Sequence, residues 1–106
     1  MSETIEVADN VAAARFEVRL DGTVVGFADY VLKGGTIILS HTEVQPEFEG
    51  RGLGSRLARA ALAAARDAGL KVIPRCPFIA RYIDRHPEYA DLVARSSPGT
   101  PPSNED

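Results

Sequence analysis

The sequence predicts one small α/β (α+β) domain: an antiparallel three-strand meander, then a β-α-β unit, then short C-terminal helices. Three observations carry this expectation. Alternating apolar runs are joined by the hairpin dipeptide Asp21-Gly22 and, further on, by Lys33-Gly34-Gly35. An alanine-rich stretch from Leu53 to Ala68 repeats its apolar residues at helical spacing. A short apolar run, Lys71–Pro74, comes next, where a helix-joined parallel strand belongs.

Each element has a local reason. Arg15–Leu20 sets Phe16, Val18 and Leu20 on one face of a strand, and Thr23–Leu32 is its partner across the turn. Thr36–Val44 is the third strand, and turns this short make all three antiparallel. In the helix, Leu53, Leu57, Ala60, Ala61, Ala64 and Ala68 form one stripe, with Ser55, Arg59 and Arg66 opposite. Leu62 falls outside that stripe. Gly69 ends the helix. Pro77 suits the first turn of a second helix in which Phe78, Ile79, Tyr82 and Ile83 share an arc. His86-Pro87 ends that helix, with His86 as its C-terminal cap, and Pro87–Arg95 makes a last short one. The domain is therefore expected over residues 1–95, with the first ten fraying. The stretch from Ser96, SSPGTPPSNED, is expected as a disordered tail over 96–106.

Composition narrows the function. A chain of 106 residues holds one small domain, and no apolar run is long enough to span a bilayer, so no membrane partner is expected. The acidic start lacks the pattern of a secretory signal. A single cysteine, Cys76, excludes an internal disulfide framework and points to a reducing, cytoplasmic setting. A net charge of −3 argues against nucleic-acid binding. No metal site is expected.

The stretch Glu47–Leu57, EFEGRGLGSRL, carries the chemistry. It joins a strand end to a helix start, where free backbone N–H groups and the helix dipole attract an anion. Gly50, Gly52 and Gly54 remove side chains that would hold a phosphate away, and Arg51, Arg56 and Ser55 can assist. The competing reading is that these glycines only let the chain turn tightly. Neither a P-loop lysine nor the parallel opening of a dinucleotide fingerprint is present.

Val44-Gln45-Pro46-Glu47-Phe48-Glu49-Gly50-Arg51-Gly52-Leu53-Gly54-Ser55-Arg56-Leu57 resembles the acetyl-CoA signature of the GNAT superfamily of N-acetyltransferases, Gln/Arg-x-x-Gly-x-Gly/Ala. Gly52 and Gly54 match, whereas Glu49 stands at the Gln/Arg position. With Cys76-Pro77-Phe78 and His86-Pro87-Glu88-Tyr89, the chain is similar to a minimal GNAT-like subfamily lacking the helices that usually cover the acceptor site. The resemblance implies a truncated GNAT fold and acetyl-CoA as co-substrate. It implies acetyl transfer to an unidentified amine, whether small molecule or protein. It also implies that the strands Thr36–Val44 and Lys71–Pro74 splay around the pantetheine arm. Val44, Gly50, Arg51, Gly52, Leu53, Gly54 and Ser55 would then hold the co-substrate.

For catalysis the resemblance calls for a strand carboxylate as base and a tyrosine as acid. Thr36–Ser40 has no carboxylate, Glu43 suits a solvated strand end, and Tyr82 suits the core. Cys76 is the leading candidate: Pro77 puts it at a helix N-terminus beside Arg75, an environment that favours a thiolate. A thiolate there can carry the acetyl group or act as base. The competing reading is a small buried hydrophobe. His41 is the natural companion base, although it shares its expected strand face with Ile37 and Leu39, as a structural core histidine would. Two other functions stay open: a CoA-binding module without catalysis, and a thiol redox sensor at Cys76.

Overall fold

The structure is a computed structural model that describes residues 3–94, so the tail expected over 96–106 lies outside the described residues. Its sheet has five strands in sequence order: β1 (Ile5–Asn10), β2 (Arg15–Leu20), β3 (Thr23–Lys33), β4 (Thr36–Val44) and β5 (Lys71–Pro74). The first four are antiparallel, and β5 joins β4 in parallel. Helix α1 (Leu53–Ala68) makes the crossover between them and lies across all five strands. Helix α2 (Pro77–Arg85) runs beside α1, and a 3₁₀ segment over Pro87–Leu92 returns the chain to β5. There Val93 bridges Val72, and the Ala94 N–H donates to the Val72 carbonyl at 2.8 Å.

The meander has four strands rather than three, because residues 5–10 do not fray. Ile5 and Val7 pack on the core, and the segment is fastened at its start to the β2–β3 turn. The Thr4 N–H donates to Asp21 Oδ1 at 2.8 Å, and the Asp21 N–H returns a bond to the Thr4 carbonyl, also at 2.8 Å. Asp21 and Gly22 have φ values of 50° and 86°, the left-handed pair that a two-residue hairpin loop of this type needs. Near the other end of β1, Asp9 Oδ1 accepts from the buried Tyr30 hydroxyl at 2.7 Å. Burial and the Asp9 carboxylate push the Tyr30 pKa up to about 12.

One core lies between the sheet and the helices. Phe16, Val18, Ala28, Tyr30, Ile37, Leu39 and Val72 supply the sheet side. The helix side departs from the predicted stripe. Ala58, Leu62 and Ala65 are fully buried, whereas Ala60 and Ala64 are half-buried and Ala68 is exposed. The reason is a second neighbour. Besides the sheet, α1 packs against α2 and the segment after it, where Arg66 binds the Asp91 carboxylate and the Glu88 carbonyl. Burial therefore spans a wider arc than one packed face gives, and Leu62 falls within it.

Candidate active site

Pairing between β4 and β5 runs from Thr36–Lys71 to Leu39–Pro74 and stops there, while β4 continues to Val44. Past that point β5 has turned away into α2, with the Cys76 N–H donating to the Leu39 carbonyl at 3.0 Å. The two strands thus part where Cys76 enters.

A bulge decides what faces the parting. Tyr30 pairs with Leu39 and Asp29 with His41, so Ser40 is an extra residue in β4. One inserted residue exchanges the two faces of everything after it. His41, expected beside Ile37 and Leu39, points to the opposite face, where its ring lies 6.0 Å from Phe27 and its Nε2 is 3.1 Å from Glu43 Oε1. Its side chain is 57% exposed. The structure does not bring His41 and Cys76 together. Thr42 takes the core-side position instead, opposite the buried Ala28, and its Oγ1 is 3.5 Å from Cys76 Sγ.

Cys76 is 5% exposed and caps the N-terminus of α2. Burial pushes its thiol pKa up, but the Thr42 hydroxyl and the amides of Ile79, Phe78 and Thr42 more than offset this and hold it below its ordinary value. The Phe78 and Ile79 amides act as oriented dipoles, since the sulfur closes no cap hydrogen bond with them. Tyr82 is a core aromatic stacked on His86 at 4.0 Å, and burial raises its pKa. His86 is the cap expected of it: its N–H bonds to the Ile83 carbonyl, and its Nδ1 donates to the Tyr82 carbonyl at 2.8 Å.

The glycine loop lies between the end of β4 and α1. Val44 is half-buried at the strand end, which the Gln45 N–H ties to the Val25 carbonyl at 2.9 Å. The first helical bond of α1 runs from the Arg56 N–H to the Gly52 carbonyl at 3.1 Å. The N–H groups of Leu53, Gly54 and Ser55 therefore point out of the helix end, and no side chain caps them. Leu53 is itself 1% exposed, so only its backbone can meet a ligand.

The three glycines divide by role. Gly50 and Gly52 have φ values of 86° and 77°, with open space where a Cβ would stand. They serve the turn and leave its outer side clear. Gly54 is a packing residue, because a Cβ there would lie 2.9 Å from Cζ of Phe78. Arg51 is engaged by an acid that the sequence reading did not connect with the loop. Its Nη1 is 3.2 and 3.3 Å from the two Glu3 oxygens, and its guanidinium lies 5.6 Å from the Phe48 ring centre. Among the described residues, no group of three or more His, Cys, Asp or Glu is placed to hold a metal ion. No described helix is long and apolar enough to cross a membrane.

Residues 15–92 match the family model for GCN5-related N-acetyl-transferase. The chain is 36% identical over 89 residues to Protein NATD1 of Xenopus tropicalis, covering 81% of each chain. It is 35% identical over 86 residues to Protein NATD1 of Homo sapiens, covering 78% of this chain and 75% of that one. In fold it is similar to the solution structure of a GCN5-like protein from Staphylococcus aureus, with a TM-score of 0.65, 23% identity, and 87% and 92% of the two chains covered. A ribosomal-protein-alanine N-acetyltransferase from Brucella melitensis gives a TM-score of 0.51 at 18% identity, over 85% of this chain and 69% of that one. The expected mixed fold, a sheet with the crossover helix between its last two strands, is the fold of these neighbours. The chain belongs to the GCN5-related N-acetyltransferase family.

Proposed function

We propose that the protein binds acetyl-CoA across the glycine loop and the parting of β4 from β5, and transfers the acetyl group to an amine. The observation that carries this reading is that parting. It sets Cys76 at the strand ends while the amides of Leu53, Gly54 and Ser55 stand ready for the pyrophosphate. In the transfer, the Cys76 thiol gives its proton to solvent. The thiolate sulfur bonds to the acetyl carbon as the thioester bond to CoA breaks, and the released CoA thiolate takes a proton back from solvent. The acceptor nitrogen then bonds to the same carbon, loses a proton, and returns the cysteine as a thiolate. The acceptor in this reading is an amine of a small molecule, a peptide or a protein. A reactive thiol of this kind works in a reducing compartment, so the cytosol is part of the reading.

A second reading is a CoA-binding module without catalysis. It is favoured by Glu43, the one carboxylate at the β4 end, which faces away from Cys76 and is 63% exposed. A redox sensor needs a second thiol, and Cys76 is the one cysteine of the chain, so that reading requires an external partner. Calorimetric titration with CoA and acetyl-CoA tests binding, and thioester turnover with and without added amine tests transfer. Absence of binding by the parent protein overturns both CoA readings. Binding without turnover selects the module.

Charge at the loop gives two sharper expectations. Ser55 is exposed at the third position of α1, where an acid suits the helix dipole. Ser55→Glu therefore leaves the melting temperature unchanged or slightly raised, yet weakens CoA binding by about tenfold, roughly 1.4 kcal/mol. Equal affinity by calorimetry would place the pyrophosphate elsewhere. Glu49 and Glu3 act in the opposite sense. Glu49→Gln removes a repelling charge and Glu3→Gln frees Arg51, so each tightens CoA binding by up to about fivefold at low salt, with the gain fading as salt rises. Affinities that ignore salt would rule out this electrostatic account.

A further inference from the structure

We propose that Thr42 is the positioning residue for the Cys76 sulfur, set in place by the bulge at Ser40. This rests on the catalytic reading of Cys76 given above. Three observations converge. The inserted residue reverses the faces of β4, so that a hydroxyl rather than an imidazole looks toward the parted strands. The Thr42 hydroxyl then lies 3.5 Å from the sulfur, which is almost wholly buried and must find its polar partners within the protein. The Cys76 backbone is pinned next to it by the bond from its N–H to the Leu39 carbonyl at 3.0 Å, one residue before the bulge. Sulfur and hydroxyl are thus fixed to the same short piece of β4 by two contacts, one from the main chain and one from the side chain.

The chemistry follows from donor and acceptor roles. A thiol donates to the threonine oxygen, and a thiolate accepts from the threonine hydroxyl, so one contact serves both states. Because the hydroxyl rotates, the sulfur can pass between the two without moving. The charged and titratable groups on the surrounding elements do not replace this contact. Arg75, Arg56 and Arg81 are exposed, Tyr82 is stacked on His86, and His41 and Glu43 stand on the other face of β4. The lowered thiol pKa is in keeping with this arrangement.

The chain has one cysteine, so thiolate absorbance against pH, corrected with the Cys76→Ala protein, titrates that sulfur alone. Thr42→Val keeps the shape and removes the hydroxyl, and it raises the titration midpoint by about one unit. Thr42→Ala gives the same rise without a branched apolar side chain. Thr42→Ser returns the midpoint to the parental value. A parental midpoint in both Thr42→Val and Thr42→Ala overturns the proposal, as does a serine variant that titrates like valine. The titration needs neither co-substrate nor acceptor. If the parent fails to transfer acetyl, the catalytic reading falls while the Thr42 contact is still judged by its own curve.

Discussion

Cys76→Ala abolishes acetyl transfer while leaving CoA affinity within about threefold of the parent. The loss is expected at about 10²–10⁴-fold, the range for removing a positioned acid–base or nucleophilic group. Binding survives because the phosphate contacts proposed for the loop do not involve the cysteine. Cys76→Ser separates size from chemistry. It keeps a polar atom beside the Thr42 hydroxyl, yet offers a far weaker nucleophile, so transfer is lost to a similar degree. Intact mass after incubation with acetyl-CoA then assigns the role. One acetyl group on Cys76 identifies an acyl carrier, whereas lost activity in both variants without an adduct identifies a base. Transfer at the parental rate by Cys76→Ala would reduce the cysteine to a packing residue.

Gly26→Ala destabilises the fold and weakens CoA binding together. A Cβ at Gly26 would lie 2.9 Å from the Glu43 carbonyl oxygen, 3.0 Å from Cγ1 of Val18 and 3.1 Å from Cγ2 of Val44. The first of these is main chain and cannot swing aside as a side chain end does. Relief requires β3 and β4 to separate at the end that leads into the glycine loop. Overpacking of this kind costs about 1–3 kcal/mol. In a domain of this size that lowers the melting temperature by about 4–8 °C per kcal/mol, read by calorimetry or circular dichroism. An alanine variant that melts with the parent and binds CoA normally would show that the strands yield at no cost.

Gly26 also shows where sequence reading stops. Its constraint comes from Glu43, Val18 and Val44 on the two neighbouring strands, and nothing beside it in the chain marks it. By contrast α1, β5 and the end of α2 fall where their spacing, Gly69 and His86-Pro87 put them, because periodicity and caps are written locally. Strand β1 was hidden because its apolar alternation stops after Ile5 and Val7, with the charged Asp9 at the next position on that face. Of the candidate site, the placement of single residues was legible and their pairing was not. Cys76 at a helix start and the loop amides follow from short stretches. The supposed His41 partnership assumed an unbroken strand, and one extra residue at Ser40 replaced it with Thr42. A polar His41 at an expected core position was the available sign of that break. Gly54 could be read as phosphate clearance only because Phe78, its true neighbour, lies more than twenty residues away.

The return of the chain to β5 has a consequence for how copies of this protein meet one another. A four-residue strand at the margin of a sheet would offer its outer amides and carbonyls to any passing strand. Val93 and Ala94 occupy that margin from within the same molecule, so the last described residues act as a built-in seal against stacking. Among the described residues the opposite margin, β1, has no such cover, and it carries Glu6 and Asp9, whose charges discourage a second identical edge from approaching. A chain cut before Val93 would keep both helices and the proposed site, but it would leave the β5 margin bare, and clumping would be the first symptom.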